Sequence, residues 1–131
     1  MDYNVTCGIN MEIERVVTST DTAIHFGSGE VTVLATPVMI GWMEAAALNA
    51  VKAVLPEGYD TVGTSVNISH IAATPVGMKV RITAEVIEVN GRMLTFKVEA
   101  FDELDKIGEG THGRAIIETQ KFLNRVNNKG K

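Results

Sequence analysis

Hydrophobic and polar positions alternate with a period of two over much of the second half of the chain. From Val62 the even positions read Val62, Thr64, Val66, Ile68, His70 and Ala72, and the odd ones Gly63, Ser65, Asn67 and Ser69. This predicts a strand ending before Pro75, with its even positions on the covered face. A second run sets Val80, Ile82, Ala84 and Val86 against Lys79, Arg81, Thr83 and Glu85. A third sets Leu94, Phe96, Val98 and Ala100 against Thr95, Lys97 and Glu99. Between them Asn90-Gly91 predicts a two-residue hairpin loop. A turn at Asp102 to Lys106 leads into a last strand from about Ile107 to Thr119. Upstream, residues 5–17 include a first strand. Thr18 to Glu30, rich in Ser, Thr and Asp with two glycines, reads as loop with a short helical turn.

One segment follows a different rule. Thr36-Pro37 is a helix start signal, with threonine as N-cap and proline at the first helical position. The chain then runs VMIGWMEAAALNAVKAVL until Pro56-Glu57-Gly58 stops it. Before Lys52 its polar interruptions are only Glu44 and Asn49. A helix apolar nearly all round is surrounded by protein or lipid, and this one is too short for lipid. The strands supply the wrapping, each with one apolar and one polar face. The pattern predicts an α+β fold in which a curved antiparallel sheet encloses a long central helix. Its exposed edges predict pairing across a two-fold axis, hence a dimer.

The chain has 131 residues, enough for one domain over 1–131, with a basic tail from about residue 121 that is expected to fray. A single cysteine, Cys7, forms no internal bridge, in keeping with a reducing compartment. The N-terminus lacks a basic leader followed by an apolar core, and no apolar run spans a membrane. A cytoplasmic location is expected. The net charge of −4 and the scattered cations argue against a nucleic-acid partner. No His/Cys spacing supports a metal site. Gly108-Glu109-Gly110 lies inside a strand, so it is no nucleotide loop.

Two residues break the burial pattern. Glu44 puts a carboxylate in the middle of the apolar helix, where an unpaired charge costs several kcal/mol. His70 lies in register with Val62, Val66 and Ile68 on the apolar face of its strand. An acid on the wrapped helix and an imidazole on the wrapping strand supply the proton transfers of acyl transfer. The plainer alternatives are, for Glu44, an interface carboxylate paired with a cation or one facing a solvent-filled gap, and, for His70, a core histidine bonded to a backbone carbonyl. N-capping alone accounts for Thr36. His112, among glycines of the last strand, reads as a polar strand-face residue.

The segments ATPVMIGWMEAAALNAV, VGTSVNISHIAATPVGMKV and IGEGTHGRAII resemble the fluoroacetyl-CoA thioesterase-like group of hot-dog proteins. The resemblance runs over about residues 30 to 120. It implies a hot-dog fold, dimers or dimers of dimers, and an active site at the subunit interface. It also implies a catalytic set of Thr36, Glu44 and His70, with Gly63 near the thioester and Arg114 in the site region. The substrate is then an acyl-CoA, with coenzyme A part of the substrate and no separate cofactor. Fluoroacetyl-specific members carry phenylalanines in a lid before the threonine. Here HFGSGEVTVLA has only Phe26, so a broader short-chain acyl-CoA hydrolase is expected. The alternatives are a non-catalytic acyl-CoA-binding protein of the same fold, an enoyl-CoA hydratase, and a structural or interaction protein of unrelated type, which would leave the acid-imidazole pair without purpose. The Asp-X-Asn-Pro-X-His pattern of the hydratases is missing from EVTVLATP. A helix starting at Pro37 would separate Thr36 from Glu44 by about 12 Å, too far for a hydrogen bond within one subunit.

Overall fold

A computed structural model describes residues 2–131. Five strands form one antiparallel sheet: β1 (Asn10–Val16), β2 (Tyr59–His70), β3 (Lys79–Asn90), β4 (Met93–Phe101) and β5 (Lys106–Glu118). Their spatial order is β1-β3-β4-β5-β2, which leaves β1 and β2 as the edges. A 3₁₀ turn at Ser19–Asp21 and the short helix α1 (Ala23–Phe26) precede the long helix α2 (Thr36–Lys52). The expected wrap is present: α2 lies across the concave face of the sheet. Met39, Met43, Ala46, Ala47, Ala50 and Val51 of α2 are buried there against Ile82, Phe96, Val98 and Ile107. Burying a large apolar side chain of this kind contributes about 1.5–3 kcal/mol, so this interface supplies much of the folding free energy. Away from that interface Gly41 is exposed, and Glu44 lies at the margin, half-exposed.

The structure corrects four local expectations. The hairpin loop is Gly91-Arg92 rather than Asn90-Gly91, because Asn90 pairs with Met93 as the last ladder residue. Gly91 has φ +60°, a conformation that favours glycine at the first loop position. Thr36 is the first helical residue and Ala35 the N-cap. The Ala35 carbonyl accepts from the Met39 N–H, so helix winding has already begun at Thr36. The basic tail continues into a helix, α3 (Thr119–Asn127), anchored where the Thr119 N–H donates to the Gly58 carbonyl.

The fourth correction matters most for the site. In β2 the pairing with β5 shifts between Gly63 and Ser65, a β-bulge. A bulge places one extra residue in its strand and reverses the alternation across it. Before the bulge the odd positions Thr61 and Gly63 pair with Ile116 and Arg114 and share the concave face. After it the even positions Val66, Ile68 and His70 take that face, opposite His112, Gly110 and Gly108. The uniform even-position face read from the sequence therefore holds only from Val66 onward.

Candidate active site

The residues singled out from the sequence fall into two groups in the chain. The first is at the start of α2. The Ala35 N–H donates to the Asp21 carbonyl and the Leu34 N–H to the Thr74 carbonyl, which ties the entry to α2 in place. With no need to cap the helix, the Thr36 hydroxyl turns to the end of β2 and lies 2.7 Å from His70 Nδ1. The other ring nitrogen, Nε2, is buried without a hydrogen-bond partner among the described residues. Burial lowers the pKa of His70 below 6.5, with the Ala72 backbone pulling partly the other way, so the ring is neutral near pH 7. An open cleft of about 420 Å³ lies over this pair, with Val31, Leu34, Ile71 and Ala72 among its walls. Two of its apolar walls, Val31 and Ile71, are more than half exposed.

The second group is two turns further along α2. Glu44 Oε2 lies 3.8 Å from Arg114 Nη1, with the carboxylate side chain 44% exposed and the guanidinium 7%. Arg114 is held by Thr61: its Nε donates to the Thr61 hydroxyl at 2.8 Å and its Nη2 to the Thr61 carbonyl at 3.0 Å. A third contact joins Nη1 to His112 Nε2 at 3.1 Å. Gly63 closes the group. A Cβ on it would stand 2.9 Å from Glu44 Oε2, so its lack of a side chain is what admits the carboxylate.

His112 was read from the sequence as a polar strand-face residue. It is buried, 1% exposed, on the concave face. One sequence signal pointed there: it stands two residues before Arg114 on the same strand, and residues i and i+2 share a face. Glu44, expected as a buried carboxylate, is half-exposed and has its cation within the chain.

Within one chain the two groups do not meet. Gly63 beside Glu44 and His70 beside Thr36 are seven positions apart on β2, one of them taken up by the bulge. At the rise of a strand that is about 20 Å. Thr36 and Glu44 are eight positions apart on α2, or about 12 Å. The chain thus brings Thr36 to His70, and Glu44 to Gly63 and Arg114, but not one pair to the other.

Comparison with known proteins gives consistent relatives. Residues 17–120 match the model of a family described as fluoroacetyl-CoA-specific thioesterase. The fluoroacetyl-CoA thioesterase of Streptantibioticus cattleyicolor is 44% identical over 97 residues, covering 74% of this chain and 70% of that protein. A solved structure of the fluoroacetyl-CoA thioesterase FlK superposes with a TM-score of 0.90 at 36% identity, over 97% of this chain and 98% of that one. A hot-dog-like protein from Thermanaerovibrio acidaminovorans reaches 0.91 at 22% identity, over 100% and 98% of the two chains. That last likeness concerns the fold alone.

Proposed function

The chain belongs to the fluoroacetyl-CoA-specific thioesterase family and is an acyl-CoA thioester hydrolase of the hot-dog fold, and from that premise we propose that it cleaves short-chain acyl-CoA esters in a site assembled from two copies of the chain. The observation that carries the reading is the Thr36–His70 contact at 2.7 Å, with His70 Nε2 unpartnered beside an open cleft.

Two copies answer the separation of the two groups. Strand β2 is an unpaired edge, and Thr64 to Asn67 on it are exposed. An open edge invites antiparallel pairing with a copy of itself. In a two-fold pairing centred on Asn67, with Thr64 set aside by the bulge, position 63 of one strand faces position 70 of the other. Glu44 of one copy, beside Gly63, then approaches Thr36 and His70 of the second copy. The long separation along β2 becomes a short one across the axis, and each dimer holds two complete sites.

Chemically, the thioester carbonyl oxygen sits at the start of α2, where first-turn N–H groups have no intrahelical partner and no side chain caps them. Glu44 of the other copy removes a proton from water as it attacks the carbonyl carbon, or attacks that carbon itself to give an anhydride that water opens. The C–S bond breaks and the thiolate of coenzyme A receives a proton, passed by His70. Thr36 fixes the imidazole for that transfer. The cleft at His70, with Val31, Leu34 and Ile71 among its walls, takes the acyl group.

The test is thiol release from a panel of acyl-CoA esters, acetyl to hexanoyl with fluoroacetyl, by wild type, Glu44→Gln and His70→Ala. Turnover highest on the shorter esters and lost in both folded variants supports the reading. A maximum at hexanoyl or beyond removes the short-chain assignment. Full turnover in either variant removes that residue from the chemistry.

A further inference from the structure

We propose that His112 is a positioning residue that fixes Arg114, and through it the Glu44 carboxylate, in the arrangement the hydrolysis uses. This deepens the reading above and rests on Glu44 acting as base or nucleophile.

The case starts from hydrogen-bond polarity. A guanidinium only donates, so the 3.1 Å contact between Arg114 Nη1 and His112 Nε2 requires the imidazole nitrogen to accept. His112 is therefore neutral, with its proton on Nδ1. That proton has one recipient, the Ser65 carbonyl at 2.8 Å. The ring is committed at both nitrogens to a single tautomer, and with 1% exposure it has little room to turn. It spans from the far side of the β2 bulge, where Ser65 resumes the ladder, to the guanidinium on β5.

The consequence falls on Glu44. Thr61 takes Nε and Nη2 of Arg114, and His112 takes one N–H of Nη1. The guanidinium is then fixed with its remaining Nη1 face toward Glu44 Oε2. Glu44 is half-exposed on a flexible side chain, so without a fixed cation its carboxylate samples several rotamers. A catalytic group displaced by about 1 Å loses about a hundredfold in rate. No side chain at Gly63 separates the three: its Cβ position lies 2.9, 3.4 and 3.5 Å from Glu44, His112 and Arg114 respectively.

The same geometry makes the clamp sensitive to acid. Three charged groups face or influence the cluster: Glu44 from α2, Arg114 from β5, and Asp60 from β2, which acts on Arg114. Protonated His112 would point an N–H at a guanidinium, removing the acceptor and setting two cations in contact. Arg114 would then swing from His112, and Glu44 would lose its anchor.

The experiment uses the full-length enzyme and two substitutions of similar size and polarity. His112→Asn keeps a polar group facing Ser65 but stops short of Arg114. His112→Gln reaches Arg114 with a carbonyl oxygen and has nothing to titrate. Both are followed by circular dichroism, by kcat and KM on acetyl-CoA, and by the acid side of the pH profile. The expected result is a drop in kcat of about tenfold to a hundredfold in His112→Asn with KM within about twofold. His112→Gln stays within about threefold of wild type, and its acid limb is shallower. A wild-type kcat in His112→Asn, or an equal loss in both variants, overturns the proposal. If neither variant folds, ¹⁵N NMR of the wild-type imidazole decides: the neutral Nδ1–H form supports it, and the Nε2–H form or a cation at neutral pH overturns it. Glu44→Gln is assayed beside them. Undiminished turnover there brings down the reading of the site itself, and this proposal with it, whatever the His112 variants do.

Discussion

The Thr36 hydroxyl and His70 Nδ1 lie 2.7 Å apart, joining the first residue of the long helix to the last residue of an edge strand. The contact uses the one hydroxyl at the helix start for orientation of an imidazole rather than for capping. The second ring nitrogen, Nε2, is buried and has no hydrogen-bond partner among the described residues.

Thr36→Val keeps the shape at the helix start and removes the contact with Nδ1. We expect kcat on acetyl-CoA to fall by about tenfold to a hundredfold, the range for a misplaced general acid or base. Thr36→Ser should retain most of the activity. Equal activity in wild type and Thr36→Val would falsify the orienting role.

Mixing experiments test where the site is built. In a composite site, the mixed dimer of Glu44→Gln and His70→Ala chains holds one site with both residues intact. Half of randomly paired dimers are mixed, so unfolding and refolding the two inactive variants together should restore roughly a quarter of wild-type turnover. A site contained in one chain would stay inactive in every pairing, and no recovery on mixing would refute the two-copy arrangement.

Gly63→Ala separates packing from chemistry. The new Cβ would meet Glu44 Oε2 at 2.9 Å, and that oxygen ends a flexible, half-exposed side chain. The carboxylate moves aside and the fold survives. Expected is a melting temperature within a few degrees of wild type and a kcat reduced by about tenfold or more. A crystal structure of the variant with Glu44 unmoved, or an undiminished kcat, would count against the placement.

His70, partly buried, and His112, fully buried, both make folding dependent on pH. Burial lowers the pKa of His70 and of His112 below 6.5; Arg114 adds to the lowering at His112, while the Ser65 bond and Glu44 oppose it. Below about 6.5 the unfolded chain binds protons that the folded chain does not, so stability falls as pH drops from 6.5 toward the lowered folded values. Above 6.5 this contribution is fully present. Urea midpoints from pH 5 to 8 should rise with pH in wild type and rise less steeply in His112→Gln. Turnover should persist below pH 6.5, because neutral His70 does. An activity limb centred at or above 6.5 would contradict this.

The sequence by itself determined the five strands, the long helix and the wrap. Alternation at Val80 to Val86 and at Leu94 to Ala100 set which side chains enter the core, and those residues are buried as read. The nearly unbroken apolar run after Pro37 required a helix covered by sheet. Glu44 and His70 stood out because a charge or an imidazole in an apolar pattern is a local signal. Tertiary structure alone decided how these residues meet. The bulge at Gly63–Ser65 depends on pairing with β5, about fifty residues away, and it brought Gly63 and Thr61 to the concave face. Thr36 looked like a cap because capping is the local use of a threonine, and it took a histidine 34 residues on to claim its hydroxyl. His112 looked like surface because its immediate neighbours are glycine and threonine. Its burial comes from Phe96 and Ser65 on neighbouring strands. Period and composition report a residue's own segment; register and burial are long-range quantities, set only when the strands choose their partners.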